Sequence, residues 1–542
     1  MKTKTLFILC LFLGIGMTKL SAQPTNPTGN GTIVTKDVSG WSTGVFCDGV
    51  QVAKKLGVNY IVEGSGQKYG NSFSINVQLI RASNENHIWG KTFEKEIKET
   101  RDIFNVQSSI AQSIASALKA TITPGEKQLI DKILTANLTA YDFYQRGNEY
   151  WSNMNVPLAL DMYSKAIQED SSFAAAYAKR AAVYSYSYWV RNKELKGNDL
   201  KAKADIKRSI LLNPELPEAK LAQAIAYYML DRDYENALKI FKDLKAKGPD
   251  RAEAYSYYSY ILRRQGKWKE SIIEAKQSLQ MDPFNAAYIS NYSDSFQLLH
   301  EHDNQIESLK KGLSLIPDCR VFNYFLFYAY IDKTADLKIA LKESGLKEAD
   351  VQYLVYYYSR NYEKLREFIN TNESKVNVEY NMEYVQPTEQ YIYHPRTFNF
   401  ALIYFLSGNK PLCRIYADSA ITDIRNKIKE NPGDERLYAT LGKCYAFIGN
   451  KKEAIDCGEK GVSLMPVKSD ALKGVIKEQD LMEIYVFTGN YDQALNKIEY
   501  LLSNPSWLSV GKLMIDPIFD NLRSLPRFRK IISSAQKRHN SS

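Results

Sequence analysis

Apolar and small residues recur along most of the chain in a rhythm of paired helices closed by proline. Pro249, Pro283 and Pro317 stand 34 residues apart, and Pro432 and Pro466 repeat that interval. Within 435–468, Tyr438, Leu441, Gly442 and Tyr445 are followed by Ala454, Gly458, Gly461 and Pro466. The frame recurs in 140–173 (Phe143, Gly147, Tyr150, Ala159, Tyr163, Ala166, with Ser171 in place of proline) and in 218–251 (Leu221, Tyr228, Ala237, Phe241, Pro249). Small residues at the eighth and twentieth positions let two helices approach closely. Large residues at the fourth, eleventh and twenty-fourth fill the gap to the next pair. Proline ends the second helix, because it lacks the amide donor and clashes with the preceding turn. One hairpin cannot bury its apolar face alone, so the units must stack.

A 34-residue helical hairpin is the tetratricopeptide length. Units are expected at 140–173, 174–216, 218–251, 252–285, 286–319, 396–434, 435–468 and 475–508. The frame lapses over 320–395, which reads as two degenerate hairpins or as a hinge. Ahead of the repeats the period changes. Ser72 to Ile80 alternates, with Phe73, Ile75, Val77 and Leu79 on one face, as in a half-buried strand. Asn59–Gly64 and Ile88–Phe93 read as further strands, flanked by helices at Val50–Leu56 and Ile103–Lys119. The expected fold class is mainly α: a tetratricopeptide-repeat helical solenoid preceded by a small α+β module at 47–135, with a tail at 509–542.

Residues 1–22 read as a secretion signal. Lys2 and Lys4 precede an apolar run from Leu6 to Met17, and Leu20-Ser21-Ala22 offers a cleavage site before Gln23. The expected address is exported, periplasmic or envelope-associated, with an uncleaved anchor as the alternative. Residues 23–46 read as an irregular linker. The net charge of +10 becomes +7 without Lys2, Lys4 and Lys19, and no block of five like charges occurs. Nucleic acid is therefore not implied. Cys47, Cys319, Cys413, Cys444 and Cys457 remain after cleavage; none forms a CxxC or a metal-finger spacing, and one unassigned disulfide stays open.

The stretch Val52-Ala53-Lys54-Lys55-Leu56-Gly57-Val58-Asn59-Tyr60-Ile61-Val62-Glu63-Gly64-Ser65 resembles the core of the TolB-type (FlgO-like) amino-terminal domain. Val77-Gln78-Leu79-Ile80, His87-Ile88-Trp89 and Asp102-Ile103-Phe104 continue the resemblance in order, and Ala140–Gly147 resembles the start of the repeats in such proteins. Asp516-Pro517-Ile518-Phe519-Asp520 and Leu522–Phe528 resemble their tail. That domain normally begins with a strand, a helix and a strand for which 23–46 leaves little room, so the module looks truncated. Relatives often carry a DNA-binding, cyclase or kinase module in front, where this chain has the leader. Their output function is not implied here.

Gly40-Trp41-Ser42-Thr43-Gly44 matches a nucleophile elbow, but it lies in a polar segment with helical repeats behind it and reads as a turn. Gly90-Lys91-Thr92 sits in an expected strand and lacks the first phosphate-loop glycine. His300 and His302, two residues apart, point away from each other on a helix and read as a solvated turn. No catalytic group, metal or cofactor is expected, and no enzyme. The concave side of the repeats is the better site. There, positions two, five, nine, twelve and thirteen of each first helix supply Tyr141, Tyr144, Asn148 and Trp151, then Tyr186, then Tyr260, Arg263 and Arg264, with Asp294 and Gln297 following. These residues are expected to bind a protein or peptide partner. The alternative is an envelope-assembly or sensory module in which the amino-terminal unit recognises a membrane-associated partner.

Overall fold

The computed structural model describes residues 59–541 apart from 70–71, 120–126, 128–132, 153, 191–196, 248–250, 318 and 372–390. The leader, the 23–46 segment, the Gly40–Gly44 motif, Cys47, the Val50–Leu56 helix and the first part of the TolB-like stretch lie outside those residues. The chain is mainly α, a tetratricopeptide-repeat solenoid preceded by a small α+β module. It forms two compact units, up to Tyr257 and from Tyr258 onward.

Unit 1 opens with β1 (Tyr60–Tyr69), β2 (Ser72–Arg81) and β3 (Asn86–Glu96), an antiparallel meander in that order. β1 runs five residues beyond the expected end because Tyr60–Tyr69 pairs with Arg81–Ser72 in one unbroken register. A bulge interrupts the other pairing: Leu79 opposes Trp89 and Ile80 opposes His87, leaving Ile88 extra. The alternation in β2 has its predicted consequence. Val77 and Leu79 are wholly buried, and with Val62 and Phe93 they pack on Ile110, Ala111 and Ile114 of α1 (Thr100–Ala117). Asp102 anchors the start of α1 by accepting from the Lys98 and Glu99 amides.

Three hairpins follow: α2 (Leu138–Ser152) with α3 (Val156–Glu169), α4 (Ala174–Trp189) with α5 (Asn198–Leu212), and α6 (Pro217–Ala226), continued by a wider turn, with α7 (Tyr234–Lys247). The eighth-position rule is visible at Gly147, where a Cβ would stand 2.6 Å from the buried Tyr163 ring.

The boundary between the units falls within α8 (Arg251–Arg264), which pairs with α9 (Trp268–Met281). Then come α10 (Ala286–Leu298) with α11 (His302–Leu315), α12 (Arg320–Thr334) with α13 (Leu337–Ser344), and α14 (Gln352–Tyr358) with α15 (Tyr362–Thr371). They are followed by α16 (Arg396–Leu406) with α17 (Lys410–Glu430), α18 (Glu435–Phe447) with α19 (Lys451–Leu464), and α20 (Ala471–Thr488) with α21 (Tyr491–Ser503). The tail adds α22 (Val510–Ile515), a tight turn over Pro517–Leu522, and α23 (Pro526–Ser541). Tyr445 and Ala454 are buried in one core, as their frame positions require.

Unit 2 closes on itself. Asp470 caps α20 by accepting from the Leu472 and Lys473 amides, while its second oxygen takes Arg264 of α8 at 2.6 Å across 206 residues of chain. The Ser506 amide donates to the Leu298 carbonyl, and the Ser509 hydroxyl to Asp332. Tyr357 donates to Asp516, and Arg360 reaches Asp520. Backbone meets backbone at Gly511, where any Cβ would run into the Ile331 and Asp332 carbonyls.

Candidate functional site in the second unit

The closure leaves a cavity of ≈ 250 Å³ inside unit 2. Its wall is drawn from the first helix of seven consecutive hairpins, α8 to α20, and from the tail around Trp507, Lys512 and Asp516. This is the concave side of the repeats. Phe325, Tyr328, Tyr353 and Tyr357 give it an aromatic surface, with Tyr353 and Tyr357 stacked at 6.1 Å.

Charged groups are organised around that surface. Lys443 on α18 bridges Asp480 at 2.8 Å and Glu483 at 2.7 Å on α20, and Lys477 adds a bond of 2.5 Å to Asp480. Burial pushes the Asp480 carboxyl up, but the two lysines hold it well below the usual carboxylate range. Burial, assisted by Lys443, pushes the His394 imidazole down to about 3, so it is neutral at pH 7. Asp294 behaves in the opposite way. Burial raises it to about 6, against the pull of Arg263. Asp516 is likewise raised by burial to about 6, against Lys512. Three buried donors in residues lining the cavity have no hydrogen-bond partner among the described residues: Arg263 Nε, Asn399 Nδ2 and Trp507 Nε1. Buried polar groups are ordinarily bonded, so three such donors at one cavity mark it out.

Of the eight residues proposed from the sequence, Arg263 lines this cavity; its terminal nitrogens are held by the Asn291 carbonyl and side-chain oxygen at 3.3 and 3.0 Å. Arg264 is buried in the pair with Asp470. Tyr260 is half-buried, with the Arg263 guanidinium 5.8 Å from its ring centre. The other five belong to unit 1. Tyr141 and Tyr144 are buried core residues stacked at 6.4 Å. Asn148 accepts from the Tyr163 hydroxyl and donates to Gln145. Trp151 and Tyr186 are half-buried and meet edge to face at 5.1 Å.

Asp294 and Gln297 were on the concave positions read from the sequence, and both line the cavity. Other lining residues obey the same rule where it had not been applied. Counted from Arg320, Tyr328, Ile331 and Asp332 fall at positions nine, twelve and thirteen; counted from Val475, Ile476, Gln479 and Glu483 fall at two, five and nine. His394, Trp507 and Lys512 lie outside any repeat frame, and no local signal marks them.

No model of a known protein family matches the chain. Over 136 residues the chain is 27% identical to a protein of Rhizobium meliloti (strain 1021) named "Putative adenylate cyclase 3". That match covers 24% of this chain and 23% of the other, so the chain spans less than a quarter of the curated relative it matches. Among solved structures, Pseudomonas aeruginosa pilF is 14% identical with a TM-score of 0.30, over 43% of this chain and 98% of that one. A tetratricopeptide repeat protein from Parabacteroides merdae is 16% identical, with a TM-score of 0.25 over 56% and 99%. YrrB, described as a TPR protein with an unusual peptide-binding site, is 19% identical, with a TM-score of 0.22 over 38% and 98%. The fold class rests on this chain's own hairpins rather than on these likenesses.

Proposed function

We propose that the chain is an exported, non-catalytic repeat scaffold that holds a segment of a partner protein on its concave side. The observation that carries this reading is the cavity of unit 2, walled by successive first helices and provided with aromatic, acidic and unbonded donor groups. A peptide backbone offers both donors and acceptors to such a surface. Arg263 is the sequence-proposed contact best placed for it, and Trp151, Tyr186 and Tyr260 remain half-buried candidates. The described thiols offer no activated nucleophile. Burial pushes Cys413 and Cys457 up to about 11, and raises Cys319 and Cys444 as well, so they are held as inert thiols. Export rests on the leader at 1–22.

A second reading draws on the meander. Among the described residues, β3 has one edge without a strand partner. Such edges accept strands from other chains. That suits the TolB-like alternative, with a membrane-associated partner recognised by the amino-terminal module. Hydrogen–deuterium exchange on the full chain with a partner captured from envelope extract tests both. Protection of α10, α12, α18 and α20 is expected. Protection confined to β3 would reject the first reading in favour of the second.

A further inference from the structure

The cavity's charge balance is uneven, and its unmet hydrogen bonds say what is missing. Five carboxylates (Asp294, Asp332, Asp480, Glu483 and Asp516) face three cations (Arg263, Lys443 and Lys512) in the lining. Adding Lys477, which lies behind Asp480, still leaves one carboxylate in excess. The cations are already engaged. Lys443 is shared between two carboxylates, the terminal nitrogens of Arg263 are held by Asn291, and Lys512 lies by Asp516. An anionic ligand at Lys443 would therefore have to break existing pairs.

Asp332 is satisfied by Gln297 and Ser509. Asp294 differs, since none of the described residues donates a hydrogen bond to it and Arg263 acts on it through its charge alone. It is half-buried and lines the same cavity as Tyr328, Tyr353 and Tyr357, so a cation paired with its carboxylate would lie in a space that also presents aromatic rings. The unbonded nitrogens of Arg263, Asn399 and Trp507 ask for the opposite chemistry, an acceptor oxygen. A cationic head close to carbonyl oxygens describes a basic amino-acid residue within a peptide. The volume of ≈ 250 Å³ suits one long side chain and its adjoining backbone. Pockets for drug-sized ligands are larger, about 300–1,000 Å³.

We propose that the unit 2 cavity receives a lysine or arginine residue of the partner segment, its cationic head taken by the acidic excess at Asp294 and its backbone carbonyls by the unbonded donors. This deepens the scaffold reading and rests on it. The same cationic chemistry could reach the cavity as a free small amine, and the experiment separates the two sources.

The full-length protein is titrated calorimetrically with end-blocked Gly-Gly-Arg-Gly-Gly, with the same peptide carrying neutral citrulline, and with agmatine. The arginine peptide is expected to bind at least tenfold more tightly than the citrulline peptide and more tightly than agmatine. Asp294→Asn should remove most of that preference, and Trp507→Phe should weaken the peptide more than agmatine. Equal binding of the arginine and citrulline peptides overturns the inference without touching the scaffold reading. Agmatine binding as tightly as the peptide overturns the assignment to a peptide residue. Absence of binding by all three probes also overturns it, and the exchange experiment on the captured partner still judges the scaffold reading separately. Should Asp294→Asn not fold, the arginine–citrulline comparison on the natural protein decides.

Discussion

The same 34-residue frame ends in two different interiors. In unit 1 the concave positions of the first hairpin are used for packing: Tyr141 and Tyr144 join Phe173 and Tyr163 in a core, and the Tyr144 and Phe173 rings lie 4.9 Å apart. In unit 2 the concave positions further along the first helices, nine (Asp294, Lys443) and twelve (Arg263, Gln297), hold charged and polar residues, and these line a cavity. Aromatic side chains at these positions can satisfy one another and close the space. Charged side chains must find counter-charges or ligand, because burying an unpaired charge is costly. The frame thus specifies how helices pair, and the chemistry at a few positions specifies whether the inner side is filled or open.

Breaking the closure of unit 2 should have the largest effect. Arg264→Ala removes the ion-pair partner of the buried Asp470 carboxylate and is expected to cost about 3–5 kcal/mol. Denaturant unfolding followed by a probe in unit 2 would measure it, and a loss below about 1 kcal/mol would mean that the pair does not hold the closure.

Tyr144→Ala in unit 1 should cost about 3–4 kcal/mol through the cavity it leaves. It should leave binding of the arginine peptide unchanged. A weakened peptide affinity at equal folded fraction would return Tyr144 from packing to the binding surface and undo the contrast between the two interiors.

The pH dependence of Asp294→Asn sharpens the comparison further. The folded carboxyl titrates near 6, above its ordinary value of 3.8. The folded state therefore holds a proton between these values that the unfolded state has released, and the natural chain loses stability as pH rises from about 4 to about 6. The asparagine variant lacks this loss, so at pH 7 it should be the more stable by up to about 3 kcal/mol. The advantage should vanish near pH 4. A constant difference between pH 4 and 7 would show that Asp294 is not held in a desolvated environment. Its cost at neutral pH is what a binding group kept ready for a cationic ligand would impose.

The smallest effect is expected from Ala454→Trp, which overpacks a hairpin away from the cavity. Ala454 is wholly buried, and the change should cost about 1–3 kcal/mol with the peptide preference retained. Unchanged thermal stability would contradict the repeat frame itself.

The hairpins are legible in the chain's own pattern because their signals are local. Gly147 is small because of Tyr163 in the partner helix of its own hairpin, and Gly442 because of Ala454 in its hairpin and Ile484 in the adjoining one. The alternation of Val77 and Leu79 likewise reports a face of one strand. Asp294 was legible as a concave residue by the same counting, and Lys443 stands at position nine counted from Glu435. What that counting did not reveal is that they line one cavity. The contacts that enclose it join Arg264 to Asp470 and Tyr357 to Asp516, residues 206 and 159 positions apart. Each arises from the summed turns of many hairpins, and a small rotation per hairpin leaves no mark on any single repeat. His394 and Trp507 show the same limit: one precedes α16 and the other α22, in segments with no period, and each gains its role from where the closed ring brings it. The sequence by itself determined the hairpin, its spacing and the side that faces inward. The tertiary structure alone decided that unit 2 closes and buries opposed charges around a cavity, because that outcome depends on accumulated geometry and not on local pattern.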